Sequence, residues 1–596
     1  MPIVYFEKCS DTYARMSVHE TDNVTAKRIL NYAYGVFRYR DKSKEYTWEG
    51  QNGYSDCMVE FYNKYNNTLP IGLIPRMRNY LKAEFPDITV RISNDIRVMY
   101  TPPHGEVTEE VLKEFAEGLD IHDRETGDRF MPFDHQYRLA YLALNKRRCS
   151  LFACTSAGKS LAMMLTVRYL VEKENRKVLV VVPSSGLVEQ LYDNFYADYG
   201  WDGAKDNCTL IHGKSKDRLS KAQKETLKKL NLGEEVKLRN ITISTWQSLQ
   251  KKDDSFFKVF DAVMVDEAHS DRGEKLRGIV EKCINANNFK VGVSGTLPDV
   301  DRDSDPEDCI DAGYIEGNLG PRYDIVHLRE LVAKGVLTPV EVKAIFIPYP
   351  HNVRPAICSS RCRYQDEVDL TVNNGSRKYI MDMLIGGGHI TLEHNTVLLY
   401  KGKENLYIMY EYLKEKYPDF TYRVIEGEVS VSEREAIRKE LEKSGGHIMI
   451  ATYGCMKQGV NIKRLNNLVF AEPGKSEYMI MQSVGRVVRK HPEKAKATVF
   501  DLVDDASYFS TPRNGGPATQ KNNYMMLHYA KRLGYYAKED IPVEEIHLDG
   551  IFEAKITPED VREKREASIA AAMAKKAKRE GRKVEERPAY RPKFSR

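Results

Sequence analysis

Residues 153–160 read Ala-Cys-Thr-Ser-Ala-Gly-Lys-Ser, the spacing of a phosphate-binding loop that opens at Ala153 and closes at Gly158, Lys159 and Ser160. Cys154, Thr155, Ser156 and Ala157 are small, so backbone N–H groups can wrap phosphate oxygens at a helix N-terminus. Lys159 would then reach the β and γ phosphates of ATP, and Ser160 would ligate Mg²⁺. About a hundred residues on, the run Val-Met-Val-Asp-Glu-Ala-His-Ser (263–270) brings Asp266 to the same cation. Glu267 follows as the base that orients or deprotonates an attacking water. Far downstream, Gln482, Arg486 and Arg489 lie on a short helical stretch with the arginines three apart on one face. Guanidinium groups so placed can serve as arginine fingers on a γ-phosphate held by another domain.

These groups need a scaffold, and the hydrophobic pattern supplies an α/β one. Between 126 and 345, apolar runs at 177–185, 241–249, 262–269 and 290–297 end in small or polar residues and alternate with helical stretches. Ligands bind beyond the carboxyl ends of such parallel strands. A second set of runs, at 396–402, 421–427, 447–454, 465–473 and 496–505, predicts another parallel sheet within 346–515. It has no phosphate loop; its site-like residues fall at 451–461 and 481–490. Residues 1–125 read as a small α+β module, 516–561 as a helical extension and 562–596 as a basic tail. That tail carries thirteen Lys/Arg against five Glu, reads as helical in its Ala-rich part and disordered after Gly581, and fits phosphate binding or solubility equally well.

At 596 residues, 42% hydrophobic and 30% charged, the composition is that of a multidomain globular protein. No run approaches a membrane span and no signal-peptide core opens the chain, so an intracellular, cytoplasmic setting is expected. Ten scattered cysteines fit a reducing compartment, and Cys358 with Cys362 lacks the second pair a zinc site needs. In the first module Phe37, Tyr39, Tyr46 and Trp48 alternate with Arg38, Arg40, Lys42 and Lys44. Two readings fit that pattern: aromatics packed as core beneath a basic face, or bases stacking on rings while arginines hold phosphates.

In order along the chain, these runs resemble the motifs of the superfamily 2 helicases and translocases over residues 130–505. Gln136 is similar to the glutamine that reads adenine there, and residues 153–160, 182–190, 244–249, 265–269 and 294–296 follow as successive motifs. Residues 400–406, 451–461 and 482–490 complete the set. The Thr-Ser-Ala spelling of the loop, with 37–40, 69–81 and 523–536, resembles the UvsW-like bacteriophage DNA helicases. That resemblance implies two tandem RecA-like domains closing over Mg-ATP and a small N-terminal domain that helps bind DNA through Arg38, Arg40 and Trp48.

It implies backbone contacts from Ser184, Thr245, Lys401 and Thr452, coupling through His269, Ser294 and Thr296, and nucleotide contacts from Gly459 and Asn461. Asn461 stands where the superfamily more often has Asp, which puts a ribose contact in question. The implied partners are branched DNA and R-loop RNA–DNA hybrids, engaged by a monomer in the cytoplasm, that of the bacterial host if the chain is phage-encoded. An RNA helicase, a nucleic-acid remodeler and the motor subunit of a restriction system are the alternatives. The last would need nuclease residues, for which only Asp324, Glu341 and Lys343 offer a loose pattern.

Overall fold

The computed structural model describes residues 1–579 apart from 46, 48–52, 124–126, 213–238, 302–303, 373, 428, 430, 458–461, 473 and 513–515. Two compact units divide the chain, Met1–Lys334 and Gly335–Arg596.

The first unit begins with a four-stranded sheet in the order Thr68–Pro70, Tyr13–His19, Ile3–Lys8, Thr89–Ile92, antiparallel except for the last pair. Buried Val4 and Phe6 alternate with the more exposed Tyr5 and Glu7, the period of a sheet with one covered face. Helices Asn23–Val36 and Ile74–Glu84 cover it through Ile29, Ala33, Met77 and Leu81. Asp22 starts the first of these helices by accepting from Val24 N and Thr25 N. Ile310, from helix Pro306–Leu319, joins the same core, so this module packs directly on the layer that follows.

That layer is a seven-stranded sheet, every pair parallel, in the order Arg322–Val326, Arg148–Ala153, Lys290–Ser294, Ala262–Asp266, Val178–Val182, Ile241–Thr245, Cys208–Ile211. The run Val178–Val182 is buried throughout, which is why it reads as unbroken Leu and Val. Cys208–Ile211 and Arg322–Val326 close the edges; their short, partly polar runs escape the hydrophobic pattern.

The second unit holds another seven-stranded parallel sheet, in the order Thr421–Ile425, His447–Thr452, Thr396–Tyr400, Asn467–Phe470, Ala497–Asp505, Val340–Pro348, Val543–His547. The boundary expected at 345 therefore moves. Val340–Pro348 pairs along its whole length with Ala497–Asp505, so the division lies between Lys334 and Gly335. The segment 516–561 supplies helix Tyr524–Lys538 and also the edge strand Val543–His547. Arg532 pins that helix to the sheet: fully buried, it grips Asp501 with two hydrogen bonds of 2.8 and 2.9 Å. Helix Pro558–Arg579 takes in the Ala-rich part of the tail, and 580–596 lie outside the described residues. Among the described residues no helix is long and apolar enough to cross a membrane.

Candidate nucleotide site and motor residues

The phosphate loop leaves strand Arg148–Ala153 and enters helix Lys159–Glu172. Gly158 has φ +73°, and a Cβ there would stand 2.2 Å from Gln136 Nε2, so the turn requires glycine. Ser156 also takes a positive φ, of 70°. Ala153, Cys154 and Ala157 turn buried side chains inward, leaving backbone on the loop's open side. Lys159 Nζ folds over the loop and donates to the carbonyls of Ala153 (3.3 Å) and Cys154 (3.4 Å). Helix Asp134–Lys146 buttresses the turn. Gln136 Nε2 donates to Ala157 O and Gly158 O, both at 3.3 Å, and Gln136 Oε1 accepts from Phe133 N at 2.8 Å. His135 Nε2 adds a 2.8 Å bond to Ala157 O, a support with no signal in the sequence beyond its neighbour Gln136.

Register brings the acids alongside. Asp266 pairs with Val293 and Ser294 with Phe152, so the loop strand, Lys290–Ser294 and Ala262–Asp266 end side by side. Burial and the charge of Glu267 push Asp266 up to about 7, against the pull of Lys159. Burial also acts upward on Glu267, but His269, Lys159 and Ser294 together hold it below the ordinary range. The two neighbouring carboxyls are thus pushed in opposite directions. Glu267 sits in the left-handed region at φ 54°, ψ 52°, a strain of about 1–3 kcal/mol that aims its carboxylate. His269, Ser294 and Thr296 meet there. Ser294 Oγ lies 3.2 Å from Glu267 Oε2 and 2.9 Å from His269 Nδ1, and Thr296 Oγ1 lies 3.3 Å from that ring nitrogen.

No group of three or more His, Cys, Asp or Glu among the described residues could itself hold a metal. A nucleotide-borne Mg²⁺ asks for less: the Ser160 hydroxyl and the half-buried Asp266 carboxyl are fitting oxygen donors.

In the second unit, Gln482 and Arg486 occupy helix Glu477–Val487. Arg489 does not share their helical face: Val488 caps the helix and Arg489 lies in the turn beyond. Two residues that sequence reasoning missed fix this turn. Thr338 donates through N to Val488 O (2.7 Å) and through Oγ1 to Arg489 O (3.2 Å). Buried Lys494 donates to Val487 O, Lys463 O and Leu465 O at 2.8, 2.7 and 3.2 Å. Gly459, Asn461 and Trp48 lie outside the described residues.

The expected nucleic-acid contacts divide. Lys401 is exposed, its Nζ 2.5 Å from Tyr364 OH, and Thr452 is half-buried with Oγ1 on Cys455 Sγ. Ser184 caps helix Ser185–Asp193 by position, with its hydroxyl buried. Thr245 is a correction: it is 3% exposed, and its hydroxyl is spent on Ser248 at the start of helix Trp246–Leu249. Phe37 is buried and Tyr39 half-buried in the first module's core, which removes them as stacking platforms. Arg38 and Arg40 remain on the surface, paired with Asp56, Glu60 and Glu45. Asp324 belongs to the first unit, while Glu341 pairs with Lys496 and Lys343 with Glu544.

Residues 105–299 match the family model "Type III restriction enzyme, res subunit" and 376–491 match "Helicase conserved C-terminal domain". The first range takes in six of the seven strands of one parallel sheet and the second four of the seven of the other, and together they make the chain an ATP-dependent helicase of superfamily 2. Two phage proteins are among those it resembles. The chain is 26% identical over 530 residues to "ATP-dependent DNA helicase uvsW" of Enterobacteria phage T4, covering 89% of this chain and 96% of that one. It is 23% identical to "Probable helicase D10" of Escherichia phage T5 over 48% of this chain and 58% of that one. The crystal structure of T4 UvsW aligns with 91% of this chain and 99% of its own at 24% identity and a TM-score of 0.43.

Proposed function

We propose that the chain is a DNA helicase or translocase that spends ATP on remodelling branched DNA and R-loops. Such work serves branch migration, fork regression, recombination, repair and replication control. The observation that carries the reading is the hydrogen-bonded set Glu267, Ser294, His269 and Thr296, built at the ends of the two strands that follow the phosphate-loop strand in the sheet. Phosphate binding falls to Lys159 and the Ala153–Ser160 backbone, with Gln136 holding the loop and reading the base. Ser160 and Asp266 would hold Mg²⁺, which when bound supplies positive charge to the phosphate oxygens. Glu267 orients the attacking water and takes its proton. Gln482, Arg486 and Arg489 serve to stabilise charge on the phosphates, and Gly459 and Asn461 bear on the nucleotide. His269, Ser294 and Thr296 link hydrolysis to a DNA path along Ser184, Lys401 and Thr452, with Arg38, Arg40 and Trp48 adding contacts from the first module. Backbone contact of this kind carries little sequence preference and falls steeply with salt. The enzyme works as a monomer in the cytoplasm, that of the bacterial host if the chain is phage-encoded. The relationship to the T4 helicase supports DNA as the substrate.

The test is ATP-dependent unwinding of fork, four-way, D-loop and R-loop substrates beside a tailed duplex and RNA, with Lys159→Ala as control. Preference for the branched forms, abolished in the variant, is expected; equal or better unwinding of plain duplex or RNA overturns it. The first family model favours one second reading, a restriction motor. Metal-dependent cleavage of DNA by the intact chain would establish that reading.

A further inference from the structure

Helix Pro306–Leu319 touches three things at once. Toward the N-terminal module two glycines allow close packing: a Cβ on Gly72 would stand 1.9 Å from the backbone oxygen of Glu316, and one on Gly313 would stand 2.4 Å from the Phe61 ring. Arg76 of helix Ile74–Glu84 pairs with Glu316, side chains 10% and 9% exposed, and Tyr314 meets Phe61 edge-on at 5.0 Å. Toward the acids, Asn318 Nδ2 donates to both oxygens of buried Asp271, at 3.2 and 2.9 Å. Asp271 lies in the turn Ala268–Arg272, which starts directly after Glu267. Arg272 from that turn reaches Asp311 at 2.5 Å, and the Arg277 guanidinium lies 4.2 Å over the Tyr314 ring. Toward the phosphate loop, Asn318 O accepts from Arg148 Nη2 at 2.6 Å, and Arg148 begins the strand that ends in the loop.

Glu316 and Asn318 are two residues apart on this helix. One is held by the N-terminal module; the other holds the turn behind Glu267 and the base of the loop strand. Contacts this close leave no slack: packed interiors shift as units rather than deform. We propose that helix Pro306–Leu319 is a strut through which nucleic acid held by the N-terminal module sets the position of the Glu267 turn, with Arg76, Glu316 and Asn318 as positioning residues. The proposal rests on nucleic acid engaging that module, as in the proposed function.

The experiment compares ATP turnover of the full chain with and without saturating forked DNA. The double variant Arg76→Met/Glu316→Gln removes the ion pair without leaving a charge buried. Its unstimulated turnover and DNA affinity should stay within about twofold of the parent, while stimulation by DNA falls about fivefold or more. Asn318→Ala should lower kcat with DNA and leave KM for ATP in place. Where the double variant fails to fold, Phe61→Leu loosens the same contact without touching a charge. Full stimulation at saturating DNA in the folded variants overturns the strut, as does a loss confined to DNA affinity. A parent enzyme that DNA does not stimulate overturns the proposed function instead.

Discussion

Ser294 Oγ donates to Glu267 Oε2 across 3.2 Å, tying the end of one strand to the acid at the end of its neighbour. A hydroxyl has one proton, so His269 Nδ1, 2.9 Å away, must carry its own and donate to Ser294. The serine therefore fixes both the acid and the imidazole tautomer.

Ser294→Ala breaks that tie while leaving the phosphate loop whole. Steady-state kcat for ATP should fall about tenfold with KM nearly unchanged, and strand separation should fall further than turnover. Parallel turnover and unwinding assays measure the split; equal losses would confine Ser294 to hydrolysis.

Arg489→Ala should spare ATP binding and slow the chemical step by about a thousandfold, the scale of an arginine finger. Single-turnover hydrolysis at saturating enzyme reads this directly. Because Thr338 and Lys494 hold the backbone of the turn, the change removes the guanidinium without moving its neighbours.

His528 gives the second unit an acid-sensitive point. Burial, then the cations Arg532, Lys401, Lys475 and Lys531, push it down to about 4 from an ordinary 6.5. Between those values the unfolded chain binds the extra proton, so stability is lost as pH falls from 6.5 toward 4. His528→Phe should remove this part of the acid loss, on the order of 2 kcal/mol after allowance for solvent screening. Denaturant midpoints for both proteins at pH 7 and pH 4.5 are the check; identical pH dependence would contradict it.

Arg532→Met leaves Asp501 buried with only Tyr536 OH, at 3.0 Å, as a side-chain partner from that helix. Removing one member of a buried pair costs about 3–5 kcal/mol, and thermal unfolding should show a clear loss. The double change Arg532→Met/Asp501→Leu should recover most of it.

The phosphate loop, the acids and the order of the modules were legible in sequence because backbone geometry and phosphate chemistry permit few spellings there. Gly158 holds φ +73°, a backbone conformation that L side chains rarely adopt. The parallel strands buried on both faces were legible too, as unbroken apolar runs such as Val178–Val182. Edge strands were not, since Val543–His547 carries Glu544, Glu545 and His547 and owes its conformation to pairing with Val340–Pro348. Nor were the supports of the site. Nothing in the local sequence of Asn318 points to Asp271, or of Arg76 to Glu316, because their pairing is made by the fold and each side chain alone reads as ordinary surface. Of the two readings open at 36–40, the aromatics follow the core one, Phe37 and Tyr39 packing inward, while Arg38 and Arg40 stay outside beside carboxylates.

The edge strand also orders the protein's synthesis. Val340–Pro348 is largely buried and long, and its outer row of amides and carbonyls is met by Val543–His547, some two hundred residues later. Until that strand emerges, the nascent second unit presents an open apolar edge of the kind that recruits other chains. Shortened versions ending near residue 515 would carry that edge permanently, so a soluble, separately expressed second unit has to run past His547.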